Sequence, residues 1–336
     1  MKIQKSEISR KIKAVKPFMN RSQQILIADG LMTAADAENT RTAITVLIDT
    51  EEKFVLPQKA IAMIDKLPEC VIDISEKGGK VVIKTPNGTS RFATVPPEDF
   101  QNVSAKIKKT VSSIAFSDFS EAVNAVLYAA DENADKEILK GISFSGNGDI
   151  LDVAAMSGVR IAWSSVPCGD KFNFIIPKTA IKNILSLGDC GDVSICEAEN
   201  KAVFKIGEYT IYTSVLYGEF VDYKSMFKKP ISNIEVNADI LSEILQRALI
   251  CADTAVKLVF APEQLTVELQ SASSEFSEFM DAESSIDFTI GMNPKLLLDI
   301  VKTFDGVVKF GVSSPTSAVT IEQGDQKALI MPVRLR

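Results

Sequence analysis

Histidine is missing from this sequence of 336 residues. Its absence excludes Ser-His-Asp and Cys-His catalysis, histidine-ligated zinc and imidazole proton transfer. The five cysteines include no CxxC pair, which predicts free thiols in a reducing compartment. Long apolar runs are lacking too: residues 125–130 are far too few to cross a bilayer, and the N-terminus has no apolar signal-peptide core. We therefore expect a soluble, cytoplasmic protein.

Enzyme motifs are equally scarce. The GNGD sequence at residues 146–149 lacks the third glycine of a dinucleotide-binding loop and is typical of a hairpin turn. The SxxK sequence at residues 225–228 has no accompanying KTG or SDN sequence. The acidic residues between 131 and 137 lie in a polar connection, where a solvated loop is favoured over a Mg²⁺ site. We predict no enzymatic activity, no metal site and no cofactor.

What the sequence does contain is a pattern that occurs three times. Each occurrence begins with a helix that has one apolar stripe, followed later by a short strand that leads into a second helix. The three stripes consist of Ile8, Ile12 and Val15; Phe119, Val123 and Val126; and Leu241, Leu245 and Ala248. The strand-to-helix elements begin at residues 54, 174 and 287.

The repeat predicts an α+β fold with three domains, residues 1–110, 111–230 and 231–336. In each domain two helices cover one face of an antiparallel sheet. A single large α/β domain with coincidental internal similarity is the alternative.

Basic residues recur on the predicted outer faces of these helices, although the net charge of the chain is −7. The first domain is net positive and the other two are net negative. These residues are either ordinary solvated side chains or parts of one shared basic surface. They are Arg10, Lys13, Lys59, Lys66, Lys295 and Lys302.

Four sequence motifs resemble those of bacterial sliding clamps, the beta subunit of DNA polymerase III. The ending ALIMPVRL at residues 328–335 resembles the terminal MP-x-RL signature of that family. The strings GMNPKLLLD at residues 291–299, GEFVDY at 218–223 and SGVRIA at 157–162 are similar to GFNPKYLLD, G-x-FPDY and DGHRLA. They occur in the order of the family, and the repeat extends the resemblance over essentially the whole chain.

The resemblance implies a head-to-tail homodimer closed into a ring around duplex DNA. Two chains would supply twelve helices, and packing helices about 10 Å wide side by side leaves an opening of roughly 28 Å. A duplex about 20 Å across would pass through it. The basic residues above would then line the hole, together with Arg21, which falls where clamps carry a DNA-contacting arginine. The ring contact would pair Phe92 of one chain with Ile250 and Cys251 of the other.

The resemblance also implies a groove that binds linear peptides from a DNA polymerase and a clamp loader. Its implied members are Leu139, Met156, Gly158, Val159, Arg160, Ile161, Val221, Met226, Thr316, Ala318, Leu329, Met331, Pro332, Val333 and Arg334. The family's histidine is replaced by Val159 and its proline by Val221, so we expect a more apolar groove with a shifted peptide preference. Ordinary core packing is the alternative role for the apolar members.

Two functions are consistent with these observations. The first is a sliding clamp, a processivity factor that is not an enzyme. The second is a clamp-like scaffold that binds peptides without encircling DNA, for which the net negative charge and the lysine-free helix around Glu121 and Asn124 provide support.

Overall fold

The computed structural model describes residues 1–19, 21, 23–36, 41–101, 105–251, 255–270, 274–284 and 286–335. The described chain forms two compact units. The first comprises Met1–Ser117 and Cys168–Leu216, and the second comprises Asp118–Pro167 and Tyr217–Arg336. Both consist of antiparallel sheets covered by helices, which confirms the predicted α+β fold.

The first unit contains three helices and thirteen strands within the described residues. Its helices are α1 (Lys5–Val15), α2 (Gln58–Lys66) and α4 (Lys178–Leu185). Its first strands are β1 (Lys2–Gln4), β2 (Ile25–Ala28), β3 (Leu31–Asp36), β4 (Thr42–Leu47), β5 (Phe54–Leu56), β6 (Val71–Glu76), β7 (Lys80–Thr85), β8 (Gly88–Ala93) and β9 (Ile107–Ile114). After the excursion into the second unit follow β13 (Lys171–Pro177), β14 (Val193–Ala198), β15 (Lys201–Ile206) and β16 (Tyr209–Ser214).

The second unit contains the other three helices and eleven strands. The helices are α3 (Phe116–Leu127, which starts at the end of the first unit), α5 (Ala238–Cys251) and α6 (Pro294–Val301). The strands are β10 (Gly141–Asn147), β11 (Ile150–Met156), β12 (Arg160–Pro167), β17 (Ser232–Asn237), β18 (Val256–Ala261), β19 (Gln264–Gln270), β20 (Glu275–Glu283), β21 (Phe288–Met292), β22 (Val307–Val312), β23 (Val319–Gln323) and β24 (Gln326–Ile330).

Each unit is held together by sheets that continue from one sequence repeat into the next. In the first unit the strand order is β5-β2-β3-β4-β16-β15-β14-β9, with β1-β6-β7-β8 as a separate sheet. In the second unit it is β10-β11-β12-β24-β23-β22-β17-β20-β19-β18-β21. The β4–β16 and β12–β24 pairs join strands of different repeats. The units therefore cut across the three predicted domains, whose bounds stay a prediction.

The helices follow the predicted apolar stripes. Helix α1 buries Ile8, Ile12 and Val15, and α3 and α5 bury the corresponding residues of their own stripes. Helix α6 begins where the sequence predicts it: Asn293 caps it by accepting hydrogen bonds from the amides of Lys295 and Leu296, both at 3.1 Å. Within the described residues no helix combines the length and apolarity needed to cross a membrane.

The GNGD sequence forms the predicted hairpin turn between β10 and β11. The side chain of Asn147 accepts hydrogen bonds from the amides of Asp149 and Ile150 at 2.9 Å, and Gly148 has a φ of +109°. A left-handed residue at this position favours glycine because it has no Cβ. The motif is thus accounted for by turn geometry.

Candidate functional site

The basic helix faces of the first unit are exposed as predicted. Lys13 lies on the outer face of α1, and Lys59 and Lys66 lie at the two ends of α2, opposite the buried Ile61 and Ile64. Arg21 is exposed in the connection after α1. Among the described residues none of these four has a carboxylate within ion-pair distance, so their charges face solvent.

Arg10 is the exception, because its charge is paired with a carboxylate of the same chain. Its guanidinium donates a hydrogen bond to the carboxylate of Glu208, in the turn between β15 and β16. The other carboxylate oxygen accepts from the ammonium of Lys11 at 2.8 Å, and Lys11 also donates to the carbonyl oxygen of Leu47 at 2.8 Å. Lys11 is only 4% exposed, a rare environment for a lysine without a partner. Glu208 therefore ties α1 to a hairpin of the next repeat and neutralises part of the positive surface.

Glu208 gives a pH dependence that can be tested. Burial raises the pKa of its carboxyl group, but the hydrogen bonds from Arg10 and Lys11, with their charges, lower it below the ordinary value of 4.5. A carboxylate with a lowered folded pKa stabilises the fold above its unfolded pKa, and this contribution is lost as pH falls through the folded pKa. We expect E208Q to reduce the free energy of unfolding by about 2 kcal/mol at pH 7. The difference from wild type should shrink below pH 4.5.

Urea unfolding of both proteins at several pH values measures this difference. The matched control is E7Q, because Glu7 lies 4.0 Å from the same lysine but is largely exposed. We expect E7Q to change stability by a few tenths of a kcal/mol. A wild-type-minus-E208Q difference that stays constant down to pH 3.5 would contradict the assignment.

The second unit exposes fewer basic helix residues. Lys295 and Lys302 lie at the two ends of α6 and are both exposed, and within the described part of the chain neither has an ion-pair partner. Helix α3 presents Glu121 and Asn124 to solvent instead. The positive character of the α6 face is therefore not shared by α3, the first helix of the middle repeat.

Several predicted groove residues come together on one face of the β11-β12-β24 sheet. Ile161 and Leu329 pair across β12 and β24 and are buried in a small apolar cluster, defined by Ala154, Ile161, Tyr223 and Leu329. Met156 and Ala318 pack against this cluster. At its edge the amide of Met331 donates to the carbonyl of Val159 at 2.9 Å, and both side chains are more than 40% exposed. An apolar surface with a buried base and an open end results.

Four aromatic residues of this surface were missed by sequence reasoning. Trp163, Phe220 and Phe227 pack against the apolar cluster, of which Tyr223 is a member. Trp163 makes edge contacts with Tyr223 and Phe227 at centroid distances of 5.8 and 5.9 Å. Side chains two residues apart on a strand share a face, so the alternation that places Ile161 inward also places Trp163 inward. This alternation could have predicted Trp163 from the sequence.

Arg160 is engaged within the second unit. It donates to Asp299 of α6 at 2.8 Å and to the backbone carbonyl of Tyr128 at 2.6 Å, and its guanidinium lies 5.1 Å from the centroid of the Tyr128 ring. Burial raises the pKa of the Tyr128 hydroxyl, which keeps it neutral. In this state Arg160 fixes the end of β12 relative to α3 and α6 and has few donors left for a peptide.

Val333 and Arg334 lie away from the apolar cluster. With Leu335 they border an open cavity of about 710 Å³ on the outer face of β18, β19 and β20, whose walls include Lys257, Glu268 and Glu275. The remaining predicted groove members occupy connecting segments. These are Leu139, Gly158, Val221, Met226, Thr316 and Pro332.

Gly291 in β21 lets the C-terminal segment lie against the sheet. The Val333 amide donates to the Gly291 carbonyl at 2.9 Å, and a Cβ at residue 291 would stand 2.5 Å from the Val333 carbonyl oxygen and 2.9 Å from Leu335 side-chain atoms. We expect G291A to displace residues 333–335 and to cost about 1–3 kcal/mol. Urea unfolding and hydrogen exchange at the Val333 amide measure both effects.

The matched control is G88A, because a Cβ at Gly88 in β8 would meet nothing within 4 Å. Unchanged protection of the Val333 amide in G291A would show that the tail does not depend on this close approach.

The predicted contact residues between chains lie near sheet edges. Phe92 is half-buried on β8, the last strand of the β1-β6-β7-β8 sheet, and among the described residues no strand pairs with its other edge. Ile250 near the end of α5 is 85% exposed, and its neighbour Cys251 is half-buried. In the described part of the chain, β20 pairs with β17 through Glu283 and Ala282 and exposes Phe279. Exposed apolar side chains next to open strand edges are typical of association surfaces.

Comparison with known protein families identifies two consecutive matches. Residues 113–222 match the family model described as the central domain of the DNA polymerase III beta subunit. Residues 226–334 match the model of the C-terminal domain of the same subunit. Together the matches span well over half of the chain.

Relatives and solved structures agree with these matches. The chain is 24% identical to the beta sliding clamp of Escherichia coli K12, with 92% of this chain and 90% of that protein covered. It is 25% identical to the beta sliding clamp of Pseudomonas aeruginosa, with 94% and 92% covered. The fold is similar to a crystal structure of the P. aeruginosa sliding clamp with ligand, at a TM-score of 0.91, 21% identity and coverage of 100% and 99%. A second crystal structure of that clamp, bound to griselimycin, gives 0.90, 20% and the same coverage.

Proposed function

Because the chain belongs to the DNA polymerase III beta-subunit family, we propose that it is a sliding clamp: a processivity factor, not an enzyme, that encircles duplex DNA in the cytoplasm and tethers a polymerase. The main support is a pair of helices that occurs three times in the described chain, with exposed basic residues on several of these helices although the net charge is −7. Lys13, Lys59 and Lys66 are exposed on α1 and α2, and Lys295 and Lys302 on α6.

Closure of the ring is part of this proposal. In a head-to-tail dimer the open edge of β8, with Phe92, would meet the open edge of β20, with Ile250 and Cys251 beside it. Such a contact is heterologous and closes after two copies. It would also cover the exposed Ile250 and Phe279 side chains.

Retention on DNA would then be topological. A closed ring does not leave a DNA circle sideways, so it needs only weak, salt-sensitive attraction from a few cations, with Arg21 and the exposed lysines as the contacts. The neutralised Arg10 is consistent with weak attraction, because a sliding protein gains nothing from tight phosphate binding. The acidic remainder of the chain would repel DNA from the outer surface.

The apolar surface around Ile161 and Leu329 would receive a linear peptide from the polymerase or the clamp loader. Aliphatic, methionine and aromatic side chains provide an adaptable apolar site, and the half-exposed Val159 and Met331 at its open end would be covered on binding. Griselimycin, bound to the P. aeruginosa clamp, is a suitable first ligand for this surface.

The test is a covalently closed ring. F92C combined with I250C, oxidised in the presence of nicked circular DNA, should give a dimer of twice 36.6 kDa that stays on the circle in high salt and is released when the DNA is linearised. I250C alone is the control, because no cysteine stands at residue 92 to pair with its thiol; the double variant and this control both carry C251S, so that the native Cys251 cannot replace residue 250 in the cross-link. A native mass of one chain at all concentrations, with no cross-linked ring, would contradict the proposal and favour a scaffold that does not encircle DNA.

A further inference from the structure

A buried carboxylate in the second unit collects three hydrogen bonds. Asp152 of β11 accepts from the indole N–H of Trp163 at 2.8 Å, from the hydroxyl of Ser165 at 2.8 Å and from the ammonium of Lys224. Its side chain is only 9% exposed, whereas that of Lys224 is half exposed. A carboxylate this buried is stable only when such donors satisfy it. Lys224 is the one charged donor among the three.

Lys224 brings a connecting segment to this carboxylate. It belongs to a short 3-10 turn, Lys224–Met226, in the connection between β16 and β17. The Lys224 ammonium also lies 4.8 Å from the centroid of the Trp163 ring. The same segment supplies Tyr223 to the apolar cluster, and Val221 and Met226 lie on either side of it. Burial, followed by the charges of Asp152 and Asp222, raises the pKa of the Tyr223 hydroxyl, so this ring stays neutral.

The register of the sheet places this contact at the closed end of the apolar surface. Ile161 lies opposite Leu329, and Trp163 lies opposite Lys327, two residues further along β12 and β24. Two residues of a strand span about 7 Å. Asp152 lies one row beyond, opposite Ser165. The ion pair therefore anchors the segment at one end of the surface, while Val159 and Met331 lie at the other.

We propose that Asp152 and Lys224 are positioning residues that hold residues 221–226 against Trp163 and thereby set the shape of the peptide-binding surface. This inference rests on the proposed peptide-binding function. The pair acts through Tyr223 and Met226 and touches no peptide itself. Loss of the ammonium would release the segment from its charged anchor while the sheet that carries Ile161 and Leu329 stays intact.

The chain offers a matched control in Lys327. Its ammonium lies 5.4 Å from the centroid of the same Trp163 ring, but its ion-pair partner is Glu322 of β23, at 3.3 Å. K327M removes a cation from the same indole without touching the connecting segment. K224M removes one and also removes the charged anchor of the segment. Any difference between the two variants reports the anchor rather than the cation–π contact.

Trp163 is the only tryptophan of the chain, so its fluorescence reports this site alone. The probe is a fluorescein-labelled octapeptide with two leucines and a C-terminal phenylalanine, with its affinity measured by anisotropy on the full-length protein. We expect K224M to weaken binding about fivefold and to shift Trp163 emission to longer wavelength. We expect K327M to stay within about twofold of wild type. K224R should restore binding, because arginine can pair with Asp152 and stack on the indole.

The outcomes separate the inference from the function on which it rests. A lower melting temperature for K224M with unchanged peptide affinity would show a merely structural role and overturn the inference. Equal effects of K224M and K327M would also overturn it. Absence of binding by wild-type protein, to the octapeptide and to griselimycin alike, would instead contradict the proposed peptide-binding function itself. The double variant D152N/K224M completes the test. If D152N weakens peptide binding by the same factor in the K224M background as in wild type, the two residues act independently, which contradicts the inference.

Discussion

Replacing Ile250 by aspartate is expected to convert the protein from a dimer into a monomer. Ile250 is almost fully exposed in the single chain, beside the open edge of β20, and the proposed ring contact would bury it. Burying an unpaired carboxylate in an apolar contact costs several kcal/mol, which lowers dimer affinity by more than about a hundredfold. Sedimentation velocity at micromolar concentration measures the mass, and retention on circular DNA should disappear with the dimer.

The control for this variant lies on the same helix. Ile240, also in α5, is 47% exposed, lies near the opposite end of the helix and has no place in the proposed contact. I240D should therefore leave the mass unchanged. An I250D protein that remains dimeric would refute the proposed ring contact, and both variants should unfold at similar urea concentrations because neither side chain is part of the core.

Charge reversal at Lys59 and Lys66 is expected to have the second large effect. A dimer of the K59E/K66E variant loses four cations from the proposed DNA-facing helices and gains four anions. The logarithm of affinity falls as the logarithm of salt concentration rises, and each lost phosphate contact reduces the steepness of this fall by about 1. We expect DNA affinity of the ring at low salt to fall by at least about tenfold, with a flatter salt dependence. In a primer-extension assay, the processivity that this protein gives to its polymerase should fall in parallel.

The comparison variant carries the same change of charge elsewhere in the first unit. Lys77 lies in the turn between β6 and β7 and Lys80 is the first residue of β7; both are exposed and lie outside the helices. K77E/K80E should retain DNA affinity if location matters and should lose it if only net charge matters. Peptide binding should be unaffected in both variants. If K59E/K66E keeps normal processivity, the helices do not face DNA and a scaffold role would be favoured.

The local sequence pattern was enough to predict the helices, but not the buried ion pair formed by Lys11 of α1. The apolar stripes at Ile8, Phe119 and Leu241 predicted α1, α3 and α5, because a 3.6-residue period is encoded in neighbouring residues. Lys11 occupies a buried position of the α1 stripe, yet its partner Glu208 lies 197 residues away. A lysine on an apolar face can be recognised from sequence, but the carboxylate that makes it tolerable cannot.

The strand pairings were beyond sequence reasoning for a similar reason. The pairing of β4 with β16 joins two repeats, and any two strand edges of compatible length can pair, so the choice depends on the whole core. The groove was located only through the resemblance of four motifs to a family. Trp163 and Lys224 each follow directly after one of those motifs, and neither was singled out, although Val221 and Met226 of the segment around Lys224 were.

The continuous sheets also have a consequence for modular engineering of this chain. The middle repeat contributes β14–β16 to one sheet, through β4, and β10–β12 to another, through β24. An excised middle repeat would therefore expose strand edges that are paired in the intact chain, and exposed edges pair with other strands. Chimeras with related proteins should exchange β4 with β16, and β12 with β24, as matched pairs. Cutting at the repeat boundaries alone would favour insoluble products.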